Sequence, residues 1–326
     1  MSLIPDLSIS LLPGRPRQLS LAQMVVKSRF DAGHTCLWSG KGPRKSKLRK
    51  GLLVPSPVIS TTRVAVAGLG AIGRVLARRL FAGMPGFTLA CAAAHDHAKA
   101  QAWLASERIA CALVEPEEFP AHADLAIECT PAPMLERICR PMLEAGKQVI
   151  VLSAGALLPR PDLIELAKAR GGQIIVPSGA LLGLDAVTAA AEGRIHSVRL
   201  ITRKPPRSLT GAPYLAANSI SVEGLNAPKL VFCGTARDAA AGFPANVNVA
   251  AALALAGIGP DRTMAEIWAD PSLERNCHTV EVDSDSAHFT LSIENIPSDN
   301  PRTGRITALS VLAALRKLTS PLRIGT

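Results

Sequence analysis

In the stretch PSLERNCHTVEVD, Pro271 to Asp283, His278 shares its parity with Val280 and Val282, while Thr279, Glu281 and Asp283 share the other. Such alternation builds a half-buried strand and puts the imidazole on its apolar face. An imidazole titrates near neutrality, so a histidine there is either a core residue with a buried partner or a proton acceptor facing a cleft. His288, in SDSAHFTLSIEN, has parity opposite to Phe289, Leu291 and Ile293 and is expected on the wet face. Cys277 adjoins His278, but strand neighbours point to opposite faces, which argues against a Cys–His nucleophilic pair.

The second group with chemical capacity lies some two hundred residues upstream, in RVAVAGLGAIGRVLARRLFAG. A short apolar strand runs into Gly68, Gly70 and Gly73 in G-x-G-x-x-G spacing, with Ala71 and Ile72 inside the motif. A helix follows, predicted to carry Ile72, Val75, Leu76 and Leu80 on one stripe. Gly68 permits the tight turn, Gly70 lets backbone N–H groups approach a pyrophosphate, and Gly73 lets the helix close on the sheet. The positive end of the helix then faces the phosphates. The motif alone is weak; between a strand and a helix it reads as dinucleotide binding.

These residues need a scaffold, and the pattern downstream supplies one. Strand FTLACAA, a helix from Asp96, strand DLAIECT, a helix from Pro131, strand QVIVLSAG, a helix from Pro161 and strand QIIVPSGA alternate along the chain. That is an α/β fold with a Rossmann-type doubly wound parallel sheet. Its ligands bind beyond the carboxyl ends of the strands, so Glu128, Cys129, Thr130 and the loops from Ser153 and Pro177 are expected to rim the crevice. After Gly183 the order changes. HSVRLITRKPP, NSISVEG, KLVFCG, HTVEVD and HFTLSIEN read as strands of a mixed or antiparallel sheet in a second, α+β catalytic domain. In NPRTGRITALSVLAALRKL, Asn300 is the expected cap, Pro301 the first helical residue, and Ile306, Leu309, Leu312 and Ala313 the buried stripe. The predicted organisation is a basic leader over 1–60, a dinucleotide-binding domain over 61–179, a catalytic and dimerisation domain over 180–299, and a closing helix over 300–326 that packs back on the first domain.

Composition excludes several other classes. The chain has 326 residues, 48% of them hydrophobic and only 3% aromatic, which suits buried parallel strands under Ala-rich helices. Of the net charge of +10, residues 1–60 carry +8 and the remaining 266 residues only +2. A nearly neutral body with few aromatics has no footprint for nucleic acid. The leader itself reads as a solvated basic tail. Seven scattered cysteines without a C-x-x-C pair argue against a disulfide framework and a metal site, and for a reducing, cytoplasmic setting. The longest uncharged run, AAAGFPANVNVAAALALAGIGP, is broken by Asn, Pro and Gly and reads as a loop entering a buried helix, not a membrane span. No secretory signal is evident.

Taken together, GLGAIG, SAGAL, TRKPP, FPANVNVAAALALAGIGPDRT, ERNCHTVEV and NPRTGRITALSVLAALR resemble the L-aspartate dehydrogenase family over roughly residues 63 to 320. The resemblance implies a homodimer that oxidises L-aspartate to iminoaspartate with NAD or NADP, the imine hydrolysing to oxaloacetate and ammonia, in the service of pyridine-nucleotide synthesis. It places the catalytic histidine on His278. It places the cofactor contacts on Gly68, Gly70, Ala71, Ile72 and Gly73 and, outside the fingerprint, on Ala180 and Asn248. Lys204, with Arg203, is the candidate for a substrate carboxylate. The leader has no counterpart in the family. The second-strand segment ACAAAHDHAKA has no clear acidic residue at its tip, so the sequence does not choose between NAD and NADP. The competing readings are another two-domain reductase, of the dihydrodipicolinate or homoserine kind, and a nucleotide sensor without catalysis.

Overall fold

The computed structural model describes residues 61–244, 247–298 and 304–325. The leader, Asn300 and Pro301 lie outside them. Two sheets carry the described chain, and both belong to one unit, Pro57–Thr326.

The first sheet holds β1 (Thr62–Ala67), β2 (Phe87–Ala93), β3 (Ala112–Leu113), β4 (Leu125–Glu128), β5 (Gln148–Val151) and β6 (Gln173–Ile175). All pair in parallel, in the order β3-β2-β1-β4-β5-β6. This is the doubly wound order that reverses direction beside β1, where such sheets open a crevice. Val64 to Ala67 and Leu125 to Ile127 are wholly buried because helices cover both faces. On one face Leu76, Leu80, Trp103 and Leu104 meet Val64, Val66, Leu89 and Ile127. On the other, Ile138, Met142 and Leu163 meet Ala65, Ala67 and Val149. The helix His97–Ser106 begins where Asp96 stands, because that carboxylate accepts the Lys99 N–H at 2.9 Å.

The C-terminal helix Ile306–Thr319 sends Val311, Leu312 and Leu315 into the first of these faces. Its predicted stripe is corrected: Ala308, Val311, Leu312 and Leu315 are buried, whereas Ile306 and Leu309 are exposed. The helix is apolar on two sides, and periodicity alone could not say which side met the sheet.

The second sheet holds β7 (Ile195–Lys204), β8 (Lys229–Thr235), β9 (Thr263–Ala269), β10 (Asn276–Ser284) and β11 (His288–Asn295), in the order β11-β10-β7-β9-β8. It is mixed: β7 and β9 run parallel and the other neighbours antiparallel. Val198, Leu200, Ile267, Val280 and Val282 form its inner face against Phe243, Ala250 and Leu253. One expectation fails here, and one strand was not foreseen. NSISVEG is a turn and loop, with Ser219 at φ +53°, a left-handed conformation that ends any strand. TMAEIWA is a strand the pattern concealed, since Met264 and Trp268 make its outer parity as apolar as its inner one. Joining the two halves, Ala251 and Ala252 of helix Asn248–Ala256 pack against Ala154.

Candidate active site

The fingerprint forms as a strand, a turn and a helix. Gly68 lies at φ +91° and donates its N–H to Ala93 O at 2.7 Å. A Cβ there would come within 2.7 Å of Cys129 O, and one on Gly73 within 1.8 Å of Gly68 O. Both glycines are therefore required by close packing. Gly70 differs, because a Cβ on it would meet nothing within 4 Å. It caps helix Ala71–Phe81 with no side-chain hydrogen bond, so the first N–H groups are left for an anion. This open backbone edge at a helix N-terminus is what a dinucleotide pyrophosphate fits.

Glu128, expected at the crevice rim, does structural work instead. Wholly buried at the end of β4, it accepts N–H bonds from Thr130, Leu152 and Ser153 at 2.7, 3.2 and 2.9 Å, and O–H bonds from Thr130 and Ser153. It thereby ties together the loops that follow β4 and β5. A carboxylate so saturated is a staple for that end of the sheet.

Where the two sheets meet, a cleft of about 130 Å³ is lined by Ile72 of helix Ala71–Phe81 and Leu152 just after β5 on one side, and by Lys204 of β7 and His278 of β10 on the other. Residues 177–180 and the N-terminus of helix Asn248–Ala256 complete its wall. The cleft thus gathers Ile72, Ala180, Asn248, Lys204 and His278, five of the residues singled out in the sequence. Arg203 goes elsewhere. One residue out of phase with Lys204, it points to the outer face, 3.6 Å from Asp270 and stacked 4.9 Å over the Trp268 ring.

His278 is 3% exposed, and its Nδ1 lies 3.0 Å from Thr202 Oγ1 on the neighbouring strand β7. Burial and, secondarily, the charge of Lys204 push its pKa down to about 3, so the ring is neutral at physiological pH. Lys204, Thr202 and Asn276 are likewise buried, and Asn276 and Lys204 face the same cleft. Asn248 accepts the Gly155 N–H on its Oδ1 at 3.2 Å, so what it can offer a ligand is its amide hydrogens. Asn295 donates Nδ2 to Ala180 O at 3.0 Å, and Ser310 Oγ accepts the Gly179 N–H at 3.1 Å, which anchors the loop after β6 from two sides. The sequence reading missed Thr202, Asn276 and Asn295. Parity could have found the first two, since Thr202 alternates with Lys204 and Asn276 with His278. Cys277 points away from the cleft, as expected, and burial raises its thiol pKa.

The depressed imidazole pKa has a consequence for stability. Between about pH 6.5 and about pH 3 the unfolded chain protonates this histidine and the folded chain does not. The folded state therefore loses stability as pH falls through that window, and the penalty is absent above it. Thermal midpoints of the wild type and of His278→Asn measured from pH 7 to pH 4 should diverge, the wild type falling more steeply. Parallel curves would contradict the buried neutral ring.

A dinucleotide-binding half whose cleft ends on a buried neutral imidazole belongs to the NAD(P)-dependent oxidoreductases. Comparison with known proteins narrows that class. Residues 185–318 match the family described as aspartate dehydrogenase, C-terminal, and residues 68–177 the homoserine dehydrogenase NAD-binding domain. L-aspartate dehydrogenase 3 of Bordetella bronchiseptica is 55% identical over 264 residues, covering 81% of this chain and 97% of that protein. L-aspartate dehydrogenase of Bradyrhizobium diazoefficiens is 52% identical over 267 residues, covering 82% and 95%. The crystal structure of aspartate dehydrogenase from Thermotoga maritima superposes with a TM-score of 0.65 at 24% identity, over 81% of this chain and 99% of that one, a likeness of fold. The chain belongs to the L-aspartate dehydrogenase family, the one its motifs resemble, and its cofactor is NAD or NADP.

Proposed function

We propose that this protein oxidises L-aspartate to iminoaspartate at the cleft between its two sheets, with His278 as proton acceptor, and that it thereby supplies pyridine-nucleotide synthesis. The observation that carries the reading is the buried neutral His278, held by Thr202 next to the buried cation Lys204. Hydride leaves the amino-bearing carbon only after the amine has lost its extra proton, and the imidazole can accept it once the substrate's carboxylates offset the burial and the Lys204 charge that depress its pKa. The bound nicotinamide would supply the hydride acceptor. Gly68, Gly70, Ala71, Ile72 and Gly73 would hold its pyrophosphate end, and Ala180 and Asn248 the end at the cleft. Lys204 complements a substrate carboxylate. The arriving negative charge also raises the basicity of His278, so that it strengthens as an acceptor when substrate is present.

In this reading Nδ1–H donates to Thr202 Oγ1 and leaves the lone pair on Nε2 for the substrate. Thr202→Val keeps the shape and removes that anchor. Turnover should fall by about 10-fold with cofactor affinity unchanged, on the scale of one lost hydrogen bond. Unaltered turnover would mean that packing alone orients the ring.

The enzyme reading is tested by following reduced-nicotinamide absorbance with NAD and NADP across a panel of amino acids. Turnover confined to L-aspartate is the expected result. Cofactor binding without turnover of any amino acid would overturn it in favour of a sensor. A homodimer and a cytoplasmic setting belong to the same proposal. In support of the dimer, the outer face of the second sheet presents the half-buried Ile201 and Trp268 and the exposed Met264; no described helix is long and apolar enough to cross a membrane. We propose the domain division read from the sequence: 1–60 as a leader, 61–179 for the dinucleotide, 180–299 for catalysis and dimerisation, and 300–326 for closure.

A further inference from the structure

Two side chains in the cleft have polar atoms that the protein leaves unsatisfied. Asn276 and Asn295 are 7% and 3% exposed, and the Oδ1 of each is buried with no hydrogen-bond partner. They stand opposite one another in the β10–β11 register, and both line the cleft that holds His278. Asn276 lies two residues before His278 on the same face of the same strand, about 7 Å away along the backbone. The amide of Asn295 has a determined orientation, since its Nδ2 donates to Ala180 O, which leaves Oδ1 as the free end. Gly304 stands against that oxygen: a Cβ on it would come within 2.8 Å of Asn295 Oδ1, so a side chain there would crowd the carbonyl.

Buried polar groups in folded proteins almost always find partners, and two orphaned acceptors side by side call for an explanation. An orphaned carbonyl destabilises the resting fold, and it is tolerated where a ligand supplies the missing donor. Resting on the reading of the cleft as an L-aspartate site, we propose that Asn276 Oδ1 and Asn295 Oδ1 form the subsite for the substrate nitrogen. The count of donors matches. A substrate ammonium carries three N–H bonds: one proton passes to His278, and the remaining two face the two carbonyl oxygens. The same two N–H bonds persist in the iminium product, and in the reverse direction the subsite receives ammonia. Carbonyl dipoles aimed at a nitrogen that becomes an iminium stabilise the charge as hydride leaves.

Asn276→Leu replaces the amide with an apolar group of similar size and provides the test. Its thermal midpoint should equal or exceed that of wild type, because an unsatisfied buried acceptor has been removed. In the reductive direction its KM for ammonium should rise on the order of 10- to 100-fold, as expected for a lost hydrogen bond to a charged group. KM for oxaloacetate and Kd for the reduced cofactor should stay within about twofold. Calorimetry with reduced cofactor bound gives a readout without turnover: wild type should bind L-aspartate more tightly than succinate, and the variant should lose that preference. Asn276→Asp, which keeps an acceptor, should retain it. Asn276→Ala takes the place of the leucine variant, with the same readouts, where leucine does not fold. An unchanged KM for ammonium, or a loss confined to cofactor affinity, overturns the subsite and assigns the oxygens to structure or to the nicotinamide amide. Failure of the wild type itself to turn over L-aspartate would instead refute the function on which the inference rests.

Discussion

His278→Ala is expected to lower turnover of L-aspartate by a factor on the order of 10² to 10⁴ while leaving cofactor affinity near that of wild type. The ring lines the cleft at the joint of the two sheets, whereas the open glycine edge that would take the pyrophosphate lies at the start of helix Ala71–Phe81. Loss of the imidazole therefore removes a proton acceptor without touching that end. A purely structural histidine would behave otherwise. Its removal would leave a cavity and an unpaired Thr202 hydroxyl, at about 1 to 3 kcal/mol of stability, with activity per folded molecule retained. Turnover, cofactor Kd and thermal midpoint on one preparation separate the two outcomes, and a destabilised but fully active variant would exclude the base. His288→Ala is the control: at 72% side-chain exposure, near Asp283, it should change none of the three.

Gly70→Val should abolish useful cofactor binding in a protein that still folds. The position is open, with nothing within 4 Å of an added Cβ, so the fold has no objection to a side chain there. What the branched side chain occupies is the space through which a pyrophosphate reaches the N–H groups of the helix. A Kd for NAD or NADP raised on the order of 100-fold, about 2.7 kcal/mol, with an unchanged thermal midpoint, is the expected pair of results. Gly73→Ala should show the opposite balance, because its Cβ would lie 1.8 Å from Gly68 O and the helix would have to leave the sheet. Wild-type cofactor affinity in Gly70→Val would place the crevice elsewhere.

Periodicity and spacing were sufficient for the parallel sheet, the fingerprint and the placement of His278 on an inner face, because strand parity and the glycine turn are local properties of the chain. The fingerprint needed only that a strand precede it and a helix follow. His278 was assigned to its face by the two-residue repeat alone, and the same repeat separates Lys204 from Arg203 in the fold, two neighbours that the sequence offered together as carboxylate candidates. Residues whose two faces are equally apolar were not legible: TMAEIWA as a strand, and Val311 and Leu315 in place of Ile306 and Leu309 as the buried stripe of the last helix. There the neighbouring element decides which side is covered. The same holds for the cleft. Thr202 beside His278, the carbonyls of Asn276 and Asn295 opposite one another, and the loop after β6 tied to β11 and to the C-terminal helix join residues up to 131 positions apart, and no local pattern records which elements become neighbours. The types and spacing of these side chains are thus a property of the sequence, whereas the burial that keeps the imidazole neutral and leaves the two acceptors unpaired arises only when the two sheets close on one another.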